Sequence, residues 1–268
     1  MDMGLSGRTA VVTGGTANIG RATCTALASE GANVVVVGRN EEKGLEVVAD
    51  VERAGGQGLW VSCDVTDRAQ VDAMVEAAVQ RFGAIDVLVT AAGNIASVAA
   101  FVDSDPATWE LDLSWNLTSV LHVTQAVLPH MIAQGRGRVV HVGSTAADIG
   151  DSLMSVYSAA KGAIHTFTRT LARETAAHGI TVNAVSPYGT RPDDPAHVSS
   201  GSRTAPDSPM MQGIIGLDDK SVLGHKTLIP RLAKASEVAS GIVYLASDHA
   251  AYVTGEILTM DGGARIAS

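Results

Sequence analysis

The sequence predicts an α/β domain built on a doubly wound, seven-stranded parallel sheet with helices on both faces. Three observations predict it. Seven short apolar runs rich in β-branched residues alternate with longer segments whose apolar residues recur at helical spacing. Strict strand–helix alternation produces parallel strands joined by helical crossovers. Hydrophobic residues make up 46% of the 268 residues and aromatic residues only 4%, so the core has to be built from Val, Ile, Leu and Ala, the residues of strands buried on both faces.

The elements follow in order. A strand over 9–13 leads through a glycine-rich turn into a helix over 19–30, which Gly31 ends. Strands over 33–38, 58–63 and 85–90 alternate with helices over 41–54 and 67–82, the latter ended by Gly83. A long helical pattern over 106–133 precedes a strand over 138–143. A helix over 156–178, ended by Gly179, precedes a strand over 180–186. Glycine suits these stops because it enters the left-handed region at little cost. A helix over 236–247 and a strand over 256–260 close the pattern. The alternation breaks once, over 189–230, in a stretch rich in Pro, Ser, Asp, Gly and Met. An insertion of that length reads as a substrate loop or lid with one or two short helices. No linker or low-complexity tract divides residues 1–268, so a single domain is expected.

Bulk properties narrow the function. A formal net charge of −9 repels phosphate backbones and argues against a nucleic-acid partner. No apolar run approaches the roughly 18 residues of a membrane span, and the N-terminus lacks the basic and apolar regions of a secretory signal. Cys24 and Cys63 have no metal-ligand spacing. They read as small buried hydrophobes of a reducing compartment, with no metal site. A soluble cytoplasmic protein is expected.

Two local patterns carry chemistry. The first is the turn from Gly14 to Gly20, between the first strand and the first helix. Such a turn presents backbone N–H groups and a helix dipole to an anion, where a doubly wound sheet binds a dinucleotide pyrophosphate. Asn18 stands where a middle glycine is often found, and asparagine tolerates positive φ. The second is Tyr157 and Lys161, four residues apart on one helix face, with Ser144 thirteen residues upstream. An ammonium beside a phenol favours the phenolate, so Lys161 is expected to lower the Tyr157 pKa. A serine hydroxyl nearby could hold a substrate oxygen, which together makes an acid/base device for an alcohol or ketone.

Along its whole length the chain resembles the short-chain dehydrogenase/reductase family. The resemblance rests on the 13–20 turn, Asp64-Val65, Ala91-Ala92-Gly93, Asn116, Ser144, Tyr157, Lys161, the 183–187 stretch ending at Pro187, Thr254-Gly255-Glu256 and Asp261-Gly262-Gly263. It implies a single Rossmann domain that carries both cofactor and substrate sites. By resemblance Tyr157 is the acid/base, Lys161 lowers its pKa and binds the nicotinamide ribose, Ser144 polarises the substrate oxygen and Asn116 holds a relay water. The implied cofactor residues are Gly14, Thr16, Asn18, Ile19, Gly20, Arg39, Asp64, Val65, Ala91, Ala92, Gly93, Tyr157, Lys161, Pro187 and Thr190. Asp64 is expected to accept from the adenine amino group. The family also implies a homotetramer formed through the helices at 106–133 and 156–178 and the C-terminal segment.

Departures from the family pattern matter. Thr90 replaces the asparagine that ties neighbouring strands, which touches local stability and not chemistry. Tyr188 replaces a glycine after Pro187 and reads either as a wall of the substrate pocket or as a space-filler beneath the lid. At the end of the second strand stands Gly38-Arg39-Asn40, with no carboxylate to repel a 2′-phosphate. Arg39 either grips that phosphate or stacks on adenine. NADP is therefore favoured, with NAD as the alternative, although Ala17 occupies the place of a second basic residue. Asn94, Ile95, Ala146, Ile149, Met154, Tyr188, Met210 and Met211 are expected to face the substrate. That mostly apolar set suits a ketone or secondary alcohol of small to medium size. Arg191, Arg203, His197 and His225 read as loop residues and His141 as a core histidine. Gly135 and His178 stand where carrier-protein reductases often use arginines. Three readings follow: an NADP-linked ketone/alcohol oxidoreductase; an NAD-linked secondary-alcohol dehydrogenase or β-ketoacyl thioester reductase; and a non-catalytic nucleotide-binding protein.

Overall fold

The computed structural model describes residues 2–198 and 226–267. The expected parallel sheet is present. Strands β1 (Thr9–Thr13), β2 (Asn33–Gly38), β3 (Gly58–Ser62), β4 (Val87–Thr90), β5 (Gly137–Val142), β6 (Ile180–Pro187) and β9 (Ile257–Met260) form a seven-stranded sheet in the order β3-β2-β1-β4-β5-β6-β9. Every neighbouring pair is parallel.

Valine alternation decides which helix packs where. Val12, Val36 and Val140 point to one face, against Leu27 of α1 (Asn18–Ser29), Val47 of α2 (Glu41–Arg53) and Ile242 of α8 (Ala235–Ala246). Their sequence neighbours Val11, Val35 and Val139 point to the other face, against Met74 of α3 (Arg68–Phe82), Val127 of α5 (Ser119–Gln134) and Leu171 of α7 (Ser155–Thr175). Period-two strands covered on both sides have to be apolar at every position. Each valine so buried contributes about 1.5–3 kcal/mol.

Helix ends follow local chemistry. Asn40 accepts from the Lys43 N–H at the start of α2, and Asp67 accepts from Ala69 and Gln70 at the start of α3. Gly83 ends α3 with φ +80°, as expected of a left-handed cap.

Three features differ from the expectation. The 106–133 pattern is not one helix: α4 (Pro106–Leu113) passes through a π turn, Ser114–Thr118, into α5. Apolar spacing does not reveal this, because one inserted residue shifts the phase without breaking the pattern. Two four-residue helices, α6 (Ala146–Ile149) and α9 (Ala264–Ala267), are too short to show periodicity. The two ends of the 189–230 interruption meet, because β7 (Thr190–Arg191) pairs with β8 (Ala233–Lys234) and the Ala233 N–H donates to the Gly189 carbonyl at 2.9 Å. Residues 199–225, with Arg203, Met210, Met211 and His225, lie outside the described residues.

Candidate active site

Strand order reverses at β1, whose neighbours are β2 and β4. In open α/β sheets a ligand crevice forms outside the strand ends at such a switch point. The turn after β1 and the turn after β4 meet there. Gly14 has φ +66°, and a Cβ on it would lie 2.8 Å from the Ala92 backbone. A Cβ on Gly20 would collide with the Gly14 carbonyl. Asn18 takes up φ +43°, as the sequence suggested, and α1 starts without a side-chain cap. Its first N–H groups therefore have no side-chain acceptor, the arrangement that suits an anion. Ile19 packs on the core behind the turn.

An open groove with roughly 680 Å³ of empty space runs from this turn across the sheet. Its walls include Gly14, Thr16, Arg39, Asp64, Val65, Ala92 and Gly93, all expected cofactor residues, together with Asn94. Ala91 lies beneath, its N–H donating to the Thr13 carbonyl at 3.2 Å. At the far end Arg39 is largely exposed, with its guanidinium 3.9 Å from the Asp64 carboxylate. The end of β2 brings no carboxylate, but β3 supplies this one. Burial pushes the Asp64 pKa up, yet hydrogen bonds from the Thr66 hydroxyl (2.7 Å) and N–H (3.0 Å), with Arg39 nearby, hold it below the usual value. A separation of 3.9 Å is an ion pair without a hydrogen bond, so Arg39 keeps its donors for another partner.

At the near end the four expected catalytic residues converge. Asn116 is fully buried in the π turn, its Nδ2 donating to the carbonyls of Asn94 (2.6 Å) and Asp112 (2.9 Å). Ser144, just past β5, accepts from the Ala146 N–H at 3.2 Å and lies near enough to the Tyr157 phenol to lower its pKa. Lys161, one helical turn beyond Tyr157, is 5% exposed and donates to the Val142 carbonyl at 2.9 Å. Its ammonium is 5.8 Å from the Tyr157 ring centre. A Cβ on Gly93 would lie 2.8 Å from Asn116 Oδ1 and 3.5 Å from Lys161 Nζ, so the groove floor and these side chains touch. Pro187 ends β6, its carbonyl accepting from Thr145 at 3.0 Å.

The electrostatics differ from the sequence expectation. Burial raises the Tyr157 pKa above 10; the Ser144 hydrogen bond lowers it, and the carboxylates of Asp112 and Asp151 raise it further. Burial also depresses Lys161 to about 8. Desolvation of the phenolate is the largest cause, and the phenol keeps its proton near neutrality.

Three buried polar atoms along this path have no hydrogen-bond partner: Asn18 Oδ1, Asn116 Oδ1 and Thr190 Oγ1. Buried polar groups are seldom left unpaired. Together with the close-approach glycines and the uncapped α1, they fit a nicotinamide dinucleotide lying from Arg39 to Tyr157. Among the described residues no group of His, Cys, Asp and Glu is placed to hold a metal.

Sequence reasoning missed Trp115 and Thr66, which line the groove, and Asp112, whose charge reaches Tyr157. Trp115 follows from the π turn, which no local pattern announced. It also missed how Thr90 is satisfied. Its hydroxyl meets His141 Nδ1 at 2.9 Å across β4 and β5, so a Thr–His pair supplies a strand tie there. His141 is a core histidine as expected, fully buried, with burial holding its pKa down to about 3.

Comparison with known proteins agrees with this geometry. The family model described as short chain dehydrogenase matches residues 8–201. The chain is 38% identical over 257 residues to cis-4-hydroxycyclohexanecarboxylate dehydrogenase of Sinomonas cyclohexanicum, covering 96% of each chain. It is 34% identical over 261 residues to the 3-oxoacyl-[acyl-carrier-protein] reductase FabG of Escherichia coli, covering 97% of this chain and 98% of the other. Among solved structures, levodione reductase superposes with a TM-score of 0.85 at 29% identity, covering 98% of this chain and 100% of that one.

Proposed function

As a chain that belongs to the short-chain dehydrogenase family this protein is an NAD(P)-dependent oxidoreductase of CH–OH and C=O groups, and we propose that it interconverts a small to medium secondary alcohol and its ketone with NADP. The observation that carries the reading is the Ser144–Tyr157–Lys161 set at one end of the groove, with Ser144 and Lys161 buried beside the phenol. When bound, the nicotinamide supplies or accepts the hydride. The remaining demands fall on the chain's own residues. Ser144 orients the substrate oxygen, and Tyr157 gives that oxygen its phenolic proton in reduction or takes it back in oxidation. Lys161 and Asn116, side by side at Gly93, hold the ribose side of the cofactor and the proton path behind the phenol. Gly14, Thr16, Asn18, Ile19 and Gly20 cradle the pyrophosphate; Ala91, Ala92, Gly93, Pro187 and Thr190 flank the nicotinamide; Asp64 and Val65 receive the adenine. A phenol held protonated suits the ketone-reducing direction. Tyr157→Phe should abolish turnover while NADPH still binds; turnover that survives would remove Tyr157 from the mechanism.

NADP is favoured because Arg39 keeps its donors at the end of β2. The Arg39–Asp64 proximity supports NAD as the second reading. Titration of the protein's effect on NADPH and NADH fluorescence separates them: Arg39→Ala should weaken NADPH binding selectively. Equal losses for both cofactors would make Arg39 an adenine stacker.

Relatives named for a cyclohexane-ring alcohol and for levodione support a cyclic secondary alcohol or ketone as substrate. Gly135 and His178 in place of arginines weigh against a carrier-protein thioester. We further propose one domain carrying both sites, with 189–230 as the substrate loop. Exposed Leu111, Leu113, Leu121 and Ile132 on α4 and α5 and Ile266 on α9 support a homotetramer, which light scattering would test. Two free buried cysteines support a reducing, cytoplasmic setting. Among the described residues no helix is long and apolar enough to cross a membrane.

A further inference from the structure

A second polar cluster sits beside the catalytic residues and the proton transfer does not use it. Tyr188, the first residue after β6, donates its phenolic proton to Asp151 Oδ2 at 3.2 Å. Lys226 donates to the other oxygen, Asp151 Oδ1, at 2.9 Å. The Asp151 side chain is only 8% exposed, and both its oxygens are taken by these donors. The three residues come from three separate segments: the loop between α6 and α7, the end of β6 and the far end of the 189–230 interruption. None of them lines the groove from Gly14 to Asp64. Asp151 lies between Ser144 and Tyr157 in sequence, and its charge is felt at the Tyr157 phenol. Tyr188 also follows Pro187, whose carbonyl accepts from the N–H of Thr145, the neighbour of Ser144, at 3.0 Å, so the cluster sits at the substrate end of the site.

Counting donors shows what it can offer. Each Asp151 oxygen already accepts from one of these donors, and the single Tyr188 proton is committed to it. An ammonium carries three N–H donors. Among the described residues Lys226 spends one on Asp151, while its side chain remains half exposed. The Asp151 hydrogen bond, with Tyr188 beside it, raises the Lys226 pKa above its ordinary value, so the ammonium stays charged and keeps donors to offer. A nearly buried carboxylate, itself fixed by a phenol, thus holds a lysine head in one place, which long flexible side chains resist for entropic reasons. A fixed donor discriminates strongly between ligands that carry an acceptor and ligands that lack one.

We propose that Lys226, held by the Asp151 carboxylate that Tyr188 also bonds, binds a second oxygen of the substrate, an acceptor distal to the carbon that exchanges hydride. This deepens the ketone/alcohol reading and rests on it. Tyr188 is then a working wall of the substrate pocket. The acceptor is a keto, hydroxyl or carboxylate oxygen.

The test compares cyclohexanone, cyclohexane-1,4-dione and 4-oxocyclohexanecarboxylate as substrates of the full chain with NADPH and with NADH. In Lys226→Met, kcat/KM for the dione or the keto acid should fall about tenfold or more through KM, as expected for loss of a charged hydrogen bond. Cyclohexanone should stay within about twofold, and Lys226→Arg should recover part of the loss. Whichever of the dione and the keto acid the wild type prefers identifies the oxygen as neutral or ionised. Equal losses on all three substrates would make the cluster a structural clasp and overturn the proposal, as would no loss on any. A wild type that handles cyclohexanone as well as the other two also overturns it. Turnover of none of the three by the wild type, with either cofactor, overturns the ketone reading and the proposal together.

Discussion

Lys161 is charged, buried and indispensable to the proposed chemistry, so replacing it with methionine should separate stability from function. Burial lowers its pKa from 10.5 to about 8. At about 1.36 kcal/mol per unit, the folded chain bears about 3.4 kcal/mol for keeping this lysine charged at neutral pH. Against that stands the bond from Nζ to the Val142 carbonyl at 2.9 Å, worth about 1.5–3 kcal/mol for a charged donor. Lys161→Met removes both, so the net change at pH 7 should be small while activity is lost. The pH dependence is the sharper readout. The folded pKa lies below the unfolded one, so between them the unfolded chain binds more protons and stability rises with pH. The stability linked to Lys161 is complete above 10.5 and is lost as pH falls through about 8. From about pH 7 to pH 9.5 the wild type should therefore gain about 2 kcal/mol relative to Lys161→Met. Urea unfolding of both proteins at the two pH values cancels every other titrating group. A gap between them that stays constant to within about 0.5 kcal/mol would refute the claim that this ammonium is buried at a cost.

Other perturbations probe the rest of the site. Gly93→Ala places a methyl 2.8 Å from Asn116 Oδ1, and kcat should fall about ten- to a hundredfold with the fold retained, since small misplacements of reacting groups are expensive; unchanged kcat would show that the floor is not under tension. Thr90→Val strands His141 Nδ1 in the core and should cost about 1–3 kcal/mol in urea unfolding, with no effect on kcat if the tie is structural. Because burial keeps Tyr157 protonated, kcat/KM for alcohol oxidation should climb between about pH 6 and pH 8; a plateau across that range would mean that the phenol is already ionised.

Much of this molecule was legible before any coordinates. β1 and β2 lie where β-branched runs placed them, and Gly83 and Gly179 carry the positive φ that ends their helices. Both follow from local sterics and from burial on two faces. The convergence of Gly14, Arg39, Asp64 and Gly93 on one groove was legible through motif order. What escaped depends on contacts between distant segments. Burial of the Tyr157 phenol, with Asp112 and Asp151 brought towards it by the fold, raises its pKa, an effect that the Tyr–Lys spacing alone does not show. Thr90 looked like a weakened tie because His141, 51 residues away, was read as an isolated core residue. Lys226 meets Asp151 across 75 residues, with nothing in either neighbourhood to announce it.

The π turn at Ser114–Thr118 has a meaning for how this part of the chain tolerates length changes. Each residue turns an α-helix by about 100°, so the wider turn sets α4 and α5 out of rotational phase. α5 is locked by Val123 and Val127 against the sheet, and α4 by Asp112, whose Oδ1 accepts from the Ala96 N–H at 2.8 Å. The extra residue reconciles two helices that answer to different neighbours, and Asn116 occupies the joint. Deleting a residue between 114 and 118 would let the helix run straight and would swing Asn116 away from Asn94, while every residue of the helix kept its propensity. Homologous sequences of equal composition but one residue shorter here would have the same helix without the same site.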